Sequence, residues 1–314
     1  RTNTNFGKYR YKINTTRHDI SEKNHTMGKV MDEYSSTKNE IKNEKDPRIK
    51  PLLEKINSSK DHYEIIALSS ELIGINPKHY YGYLRKAISY HRLKQEEKSE
   101  QSFKEAIKKA NNPSEVDNSY SIYLIELRKF NEALEYVDKV ISFDQKNAAG
   151  WHNKGVIFDA RKEYQKAIEC YDRALKINEN SKLTWFNKGD TLSDIGEHQK
   201  AIECYDRALQ IDENYVSAWN WKGYSLESLG EYQKAIECYD RALKIDENYI
   251  HAWNNKGYSL ESLGEHQKAI ECYDRALKID ENYVTTWTNK GCSLENLGEH
   301  QKAIECYDRA LQID

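Results

Sequence analysis

From residue 148 onward the apolar positions return every 34 residues, in two bursts of helical spacing parted by a polar break. In the stretch 250–283 the first burst is Ala252, Trp253, Gly257, Leu260 and Leu263, one face of a helix that Gly264 ends. The second burst is Ala269, Ile270, Tyr273, Ala276, Leu277 and Ile279, the inner side of a second helix. Gly257, Ala269 and Ala276 are small where two helices must approach closely, and Trp253 and Tyr273 fill the space between. Neither helix can bury its face alone, so each pair is expected to stack on its neighbours.

The copies are close. KAIECYDRALKI begins at Lys166, Lys234 and Lys268, and KAIECYDRALQI at Lys200 and Lys302. With slots counted from residue 148, slot 4 holds Trp151, Trp185, Trp219, Trp253 and Trp287, and slot 8 holds Gly155, Gly189, Gly223, Gly257 and Gly291. Slot 20 is Ala (167, 201, 235, 269, 303), slot 24 Tyr (171, 205, 239, 273, 307) and slot 27 Ala again (174, 208, 242, 276, 310). Five slots kept in five copies closely resemble the tetratricopeptide repeat, a helix-turn-helix unit that stacks. The resemblance implies an all-α fold, a right-handed solenoid of about eight such units.

The frame continues upstream in more divergent form. Residues 114–147 keep Leu124, Phe130, Ala133 and Val140, and 80–113 keep Tyr83, Ala87, Tyr90, Phe103 and Ala106. In 46–79 the first helix is weak, but HYEIIALSSELIGINPK aligns with the second, and Pro77 falls in the family's usual proline slot, 32. The expected organisation is a leader, 1–45, and a solenoid, 46–314, with units 46–79 (degenerate), 80–113, 114–147, 148–181, 182–215, 216–249, 250–283 and 284–314. Units 216–249 and 250–283 differ at four positions, which points to recent duplication. Two departures from the family stand out. Slot 32 carries Glu179, Glu213, Glu247 and Glu281 where Pro is usual, which puts the turn's rigidity in doubt. Slot 7 carries Lys154, Lys188, Lys222, Lys256 and Lys290 where Leu is usual, which predicts looser helix packing, the Lys stem covering apolar surface while its ammonium reaches water.

Composition narrows the setting. The leader has 10 basic and 6 acidic residues, a balance of +4, and the remainder has 38 against 45, a balance of −7. Arg1, Lys8, Arg10, Lys12 and Arg17 interleave with Phe6, Tyr9 and Tyr11, a pattern suited to an acidic partner such as a filament surface, or to a solvated tail. The acidic repeats argue against nucleic acid. No apolar run approaches the ~20 residues of a membrane span. Cys170, Cys204, Cys238, Cys272 and Cys306 share slot 23 and read as copies of one small helical residue, with Cys292 apart. Reduced thiols favour a cytoplasmic setting, with cytoskeletal or ciliary association open. The chain ends at Asp314 inside a closing turn, so a further helix or a partner is expected over Ala310, Leu311 and Ile313.

No catalytic constellation, metal motif or cofactor loop is present in the sequence, so no enzyme activity, metal or cofactor is expected. His198, His266 and His300 occupy the slot of Tyr164 and Tyr232 and read as packing residues. The family resemblance implies a protein-interaction scaffold whose concave groove holds an extended peptide or a helix of a partner. The alternative is the regulatory or substrate-selecting arm of a larger enzyme, a role such solenoids play in O-linked N-acetylglucosamine transferases. In this family slot 6 points into the groove, and some members carry an Asn ladder there that holds a peptide backbone. Here slot 6 is Asn153, Asn187, Trp221, Asn255 and Asn289. Tyr224 and Tyr258 in slot 9, with Glu227, Glu261 and Glu295 in slot 12, are expected on the same surface. The Lys and Asn pair with which chaperone-binding relatives clamp a terminal carboxylate is absent. A neutral or basic extended segment, the leader among the candidates, fits better.

Overall fold

The computed structural model describes residues 46–110 and 114–313, and the expectations for the leader lie outside them. Among the described residues are sixteen α-helices and no strand. The chain divides at Arg161 and Lys162 into two units. Unit 1 holds α1 (Ile49–Ser58), α2 (His62–Ile75), α3 (Tyr80–Arg92), α4 (Glu96–Lys109), α5 (Ser114–Glu126), α6 (Phe130–Phe143) and α7 (Ala148–Ala160). Unit 2 holds α8 (Tyr164–Ile177), α9 (Lys182–Asp194), α10 (His198–Ile211), α11 (Val216–Ser228), α12 (Tyr232–Ile245), α13 (Ile250–Ser262), α14 (His266–Ile279), α15 (Val284–Asn296) and α16 (His300–Ile313).

The weak helix predicted before α2 forms as α1, which buries Ile49, Leu52, Leu53 and Ile56. Pro51 sits in its first turn, where backbone N–H groups lack intrahelical partners in any case. Across unit 1 the retained positions Ala87, Phe103, Ala106, Leu124, Ala133 and Val140 are buried. Tyr83, Tyr90 and Phe130 are only half-buried, and the buried aromatics of this unit are Tyr81, Phe103, Tyr120 and Tyr123.

In unit 2 the close approach of the paired helices is visible at slots 8 and 24. Tyr205, Tyr239 and Tyr273 are fully buried, and a Cβ added at Gly189, Gly223 or Gly257 would fall within 2.8 Å of the ring. Ala201, Ala208, Ala235, Ala242, Ala269 and Ala276 line the same seam. Leu263 and Ile279 fit the core stripe by spacing but stand 42% and 39% exposed. Each closes its helix at the rim of the unit, where the chain turns away from the seam.

First helices end in a left-handed residue whose amide and its successor's amide reach back to the last turn, as Gly196 to Ser193 and Glu197 to Leu192. Glycine supplies that conformation at Gly196, Gly230, Gly264 and Gly298. The divergent copies place Lys94, Arg128 and Lys162 there instead, at φ of 57° to 61°.

The two departures have a structural account. Each slot-4 indole N–H donates to the slot-32 carbonyl of the preceding turn, Trp185 to Glu179, Trp219 to Glu213, Trp253 to Glu247 and Trp287 to Glu281, at 2.8–2.9 Å. The slot-31 carboxylate also accepts from the slot-33 amide, as Asp246 from Asn248. These bonds hold the turn that a proline would otherwise stiffen, so the Trp residues are half-buried turn clamps as well as packing groups. The slot-7 lysines do not loosen the stack. Their ammonium groups pair with slot-25 carboxylates of the preceding repeat, Lys188 with Asp172, Lys222 with Asp206, Lys256 with Asp240 and Lys290 with Asp274, at 2.5–2.6 Å. Each also lies 5.4–5.7 Å from the centroid of its own repeat's Trp. Leu311, in α16, is 78% exposed, whereas its counterparts Leu243 and Leu277 are buried, as is Ala310.

Candidate protein-binding face

Within unit 2 the first helices α9, α11, α13 and α15 form a row bridged by side-chain bonds one repeat apart. The slot-6 amides take part directly. Asn255 donates from Nδ2 to Oδ1 of Asn220 at 3.2 Å, and Asn289 from Nδ2 to Oδ1 of Asn254 at 3.3 Å. The partner in each case is the slot-5 amide of the preceding repeat. Unit 1 repeats the arrangement, where Asn153 donates to Asn118 at 2.9 Å, but there both residues are buried. Asn187, Asn255 and Asn289 are half-buried.

Trp221 breaks the amide row for a reason found one repeat earlier. The slot-5 residue one repeat earlier is Phe186, and Trp221 packs partly buried against the cluster that contains it. A Phe side chain in slot 5 offers no acceptor of the kind that Asn220 and Asn254 give the next amide. Tyr224 meets Trp221 edge-on, with centroids 5.4 Å apart at 78°, and the His198 ring lies 6.4 Å beyond. Burial pushes the His198 imidazole down, consistent with a packing role. Tyr258 is half-buried, and its phenol is pushed up to about 12 by burial and then by the nearby Glu227.

The slot-12 carboxylates form a graded series. Glu227 is 6% exposed and accepts from the Tyr239 hydroxyl at 3.2 Å and the Ser259 hydroxyl at 2.7 Å. Glu261 is half-buried and accepts from Tyr273 at 3.1 Å; burial pushes its carboxyl up, and the Tyr273 bond works against that. Glu295 is exposed and accepts from Tyr307 at 3.0 Å. Tyr239, Tyr273 and Tyr307 therefore do two jobs: their rings pack on glycine, and their hydroxyls orient carboxylates on the first-helix face.

Sequence reasoning missed the slot-5 amides Asn118, Asn220 and Asn254 and the slot-10 Ser259. The signal was a period of 35, not 34, between bonded amides. Elsewhere the chemistry is quiet. Among the described residues no group of His, Cys, Asp and Glu could hold a metal ion, and no helix is long and apolar enough to cross a membrane. Burial pushes the Cys204, Cys238 and Cys272 thiols up to about 11, away from the reactive thiolate.

Comparison with known proteins agrees with this architecture. The tetratricopeptide repeat family model matches residues 148–181, 183–215, 216–249, 251–283 and 284–314, together over half of the chain. A second model of the same description matches 80–112, and the protein prenyltransferase alpha subunit repeat matches 130–161. No curated protein matches the chain. Among solved structures, the APC/C hetero-tetramer Cut9-Hcn1 is similar at a TM-score of 0.62 and 19% identity, over 84% of this chain and 52% of that one. MamA from Desulfovibrio magneticus gives a TM-score of 0.50 at 18% identity, over 53% of this chain and 94% of that one. Another MamA structure gives 0.48 at 28% identity, over 51% and 93%. The chain belongs to the tetratricopeptide repeat family, an all-α helical-repeat fold that serves as a protein-interaction scaffold.

Proposed function

We propose that the first-helix face of unit 2 binds an extended, neutral or basic segment of a partner protein. The observation that carries this reading is the inter-repeat bonding of Asn255 and Asn289, which holds successive slot-6 amides in one orientation, one repeat apart. A primary amide offers two N–H donors and an oxygen with two lone pairs, so it can engage an extended backbone without selecting its side chains. Fixing its orientation beforehand lowers the ordering cost of that engagement. The tyrosines of slot 9 and the carboxylates of slot 12 give the same face an aromatic and acidic character, which disfavours an acidic ligand.

The test is an array of nonapeptides of randomised sequence, probed with the full chain and with an Asn255→Ala/Asn289→Ala variant. The variant is expected to keep its helical content and to weaken binding about fivefold or more per lost hydrogen bond. Undiminished binding would move the site off this face.

A further inference from the structure

The face has one position unlike the rest. Slot 6 is an amide in four of the five copies from 148 onward and an indole in the middle one, Trp221. Trp221 is half-buried against the cluster that contains Phe186, and Tyr224 stands against it at 78°, which makes a two-walled aromatic corner in a row of amides. Less than two turns along α11 from Trp221 is Glu227, whose carboxylate is nearly buried. It accepts hydrogen bonds from the Tyr239 and Ser259 hydroxyls, which orient it. Glu261 and Glu295 repeat that charge one and two repeats on.

Across slots 5, 6, 9 and 12 of α9, α11, α13 and α15 there are four acidic residues, Asp190, Glu227, Glu261 and Glu295, and no Lys or Arg. The lysines of these helices lie elsewhere. Those in slot 7 are drawn to the slot-25 carboxylates of the second helices, and Lys182, which opens α9, pairs with Asp212. The face therefore has a single sign of charge, with an aromatic corner at one point. A cation over an indole is attracted by the ring's quadrupole, and the attraction grows where water is partly excluded. A planar guanidinium adds stacking and a fork of donors that an ammonium lacks.

We propose that the Trp221–Tyr224 corner, backed by Glu227, selects a cationic side chain, arginine by preference, at one position of the bound segment and so fixes its register on the face. The proposal rests on the groove reading above and adds to it a specificity determinant. The amides bind any extended backbone and would let it slide by one residue pair; a single anchoring side chain removes that freedom.

The experiment uses the full chain and an array of nonapeptides with randomised flanks and each of the twenty residues fixed in turn at the centre. The wild type is expected to bind Arg-centred peptides about fivefold more tightly than Gln-centred ones, with Lys between. Trp221→Asn, which installs the residue used by the other copies, should bring Arg-centred binding down to the level of Gln-centred binding in the same variant. Glu227→Gln keeps an oxygen for the Tyr239 and Ser259 hydroxyls and removes the charge, and should lower the Arg preference without touching the aromatic corner. Asn255→Ala/Asn289→Ala should dim all peptides alike. Equal binding across central residues, or a preference for Phe or Leu over Arg, would overturn the anchor and leave the groove standing. An array that stays dark throughout would overturn both.

Discussion

Replacing glycine by alanine should stabilise this protein at one site and destabilise it at another, and the difference measures how closely its helices approach. A Cβ at Gly257 would lie 2.5, 2.8 and 2.9 Å from Cε1, Cδ1 and Cζ of Tyr273. Carbon atoms prefer separations of ~3.5–4.0 Å, so the overlap approaches ~1 Å. The ring cannot retreat, since Tyr273 is 0% exposed and its hydroxyl is tied to Glu261. Relief requires α13 and α14 to part, at about 1–3 kcal/mol for overpacking, against about 1 kcal/mol of helix propensity gained. A net loss of up to about 2 kcal/mol is expected. At Gly74, exposed in the last turn of α2, an added Cβ meets nothing within 4 Å, and Gly74→Ala should gain about 0.5–1 kcal/mol. Repeat arrays need not unfold in one step, so the assay is hydrogen exchange on the full chain, read as local opening free energies over 62–75 and 250–279. Tyr273→Leu in the Gly257→Ala background should recover part of the loss, because the clashing ring atoms are gone. Slower exchange over 250–279 in Gly257→Ala alone would refute the close-approach argument.

Three further outcomes follow from the same geometry. Lys94→Gly removes a side chain from a left-handed position at φ 57° and should stabilise the α3–α4 pair by about 1 kcal/mol, seen as slower exchange there. Trp253→Phe keeps a six-membered aromatic ring but loses the N–H bond to the Glu247 carbonyl, and should cost about 1 kcal/mol or more with the change centred on the turn at 246–249; an unchanged turn would remove the clamp assigned to slot 4. Burial pushes the His152 imidazole down to about 4, so between pH 6.5 and 4 the unfolded chain takes up a proton that the native chain refuses. Unit 1 should therefore lose about 2–3 kcal/mol as pH falls through that window and nothing from this group above it. His152→Phe, the residue found in the same slot at Phe186, should flatten the fall; an identical pH profile in the variant would place the acid sensitivity elsewhere.

The core is legible in the sequence because it depends on size and period alone. Gly in slot 8 opposite Tyr in slot 24, and Ala in slots 20 and 27, leave one arrangement of two helices that fills space without overlap. The rim is less legible. Leu263 and Ile279 fit the helical stripe by spacing, but a stripe extended to a helix end leaves the seam with the chain. The lysines of slot 7 look like a weakness for a related reason. Hydrophobic patterning scores Lys as a lost Leu, whereas the observed residue holds its ammonium near the Trp ring and pairs it with a carboxylate of the preceding repeat.

The candidate face shows why its residues can be named from sequence but not explained there. Slot 6 is found by aligning copies on a 34-residue period, which compares each residue with its own counterparts. The bonds that orient those residues run between unlike slots, 6 to the preceding 5 and 10 to the preceding 12, so no column of that alignment contains both partners. Read across columns, the exception becomes regular: Asn220 and Asn254 are followed by amides, and Phe186 is followed by Trp221. A substitution in slot 5 should therefore act on the next repeat's slot 6 and not on its own. Asn220→Phe would deprive Asn255 of its acceptor and reorient it, while leaving Trp221 beside it unchanged. The expected signature is a shift in the Asn255 side-chain amide resonances with those of Asn289 unmoved. Equal shifts at both would mean that the face responds as one body, and that its positions are not set pair by pair.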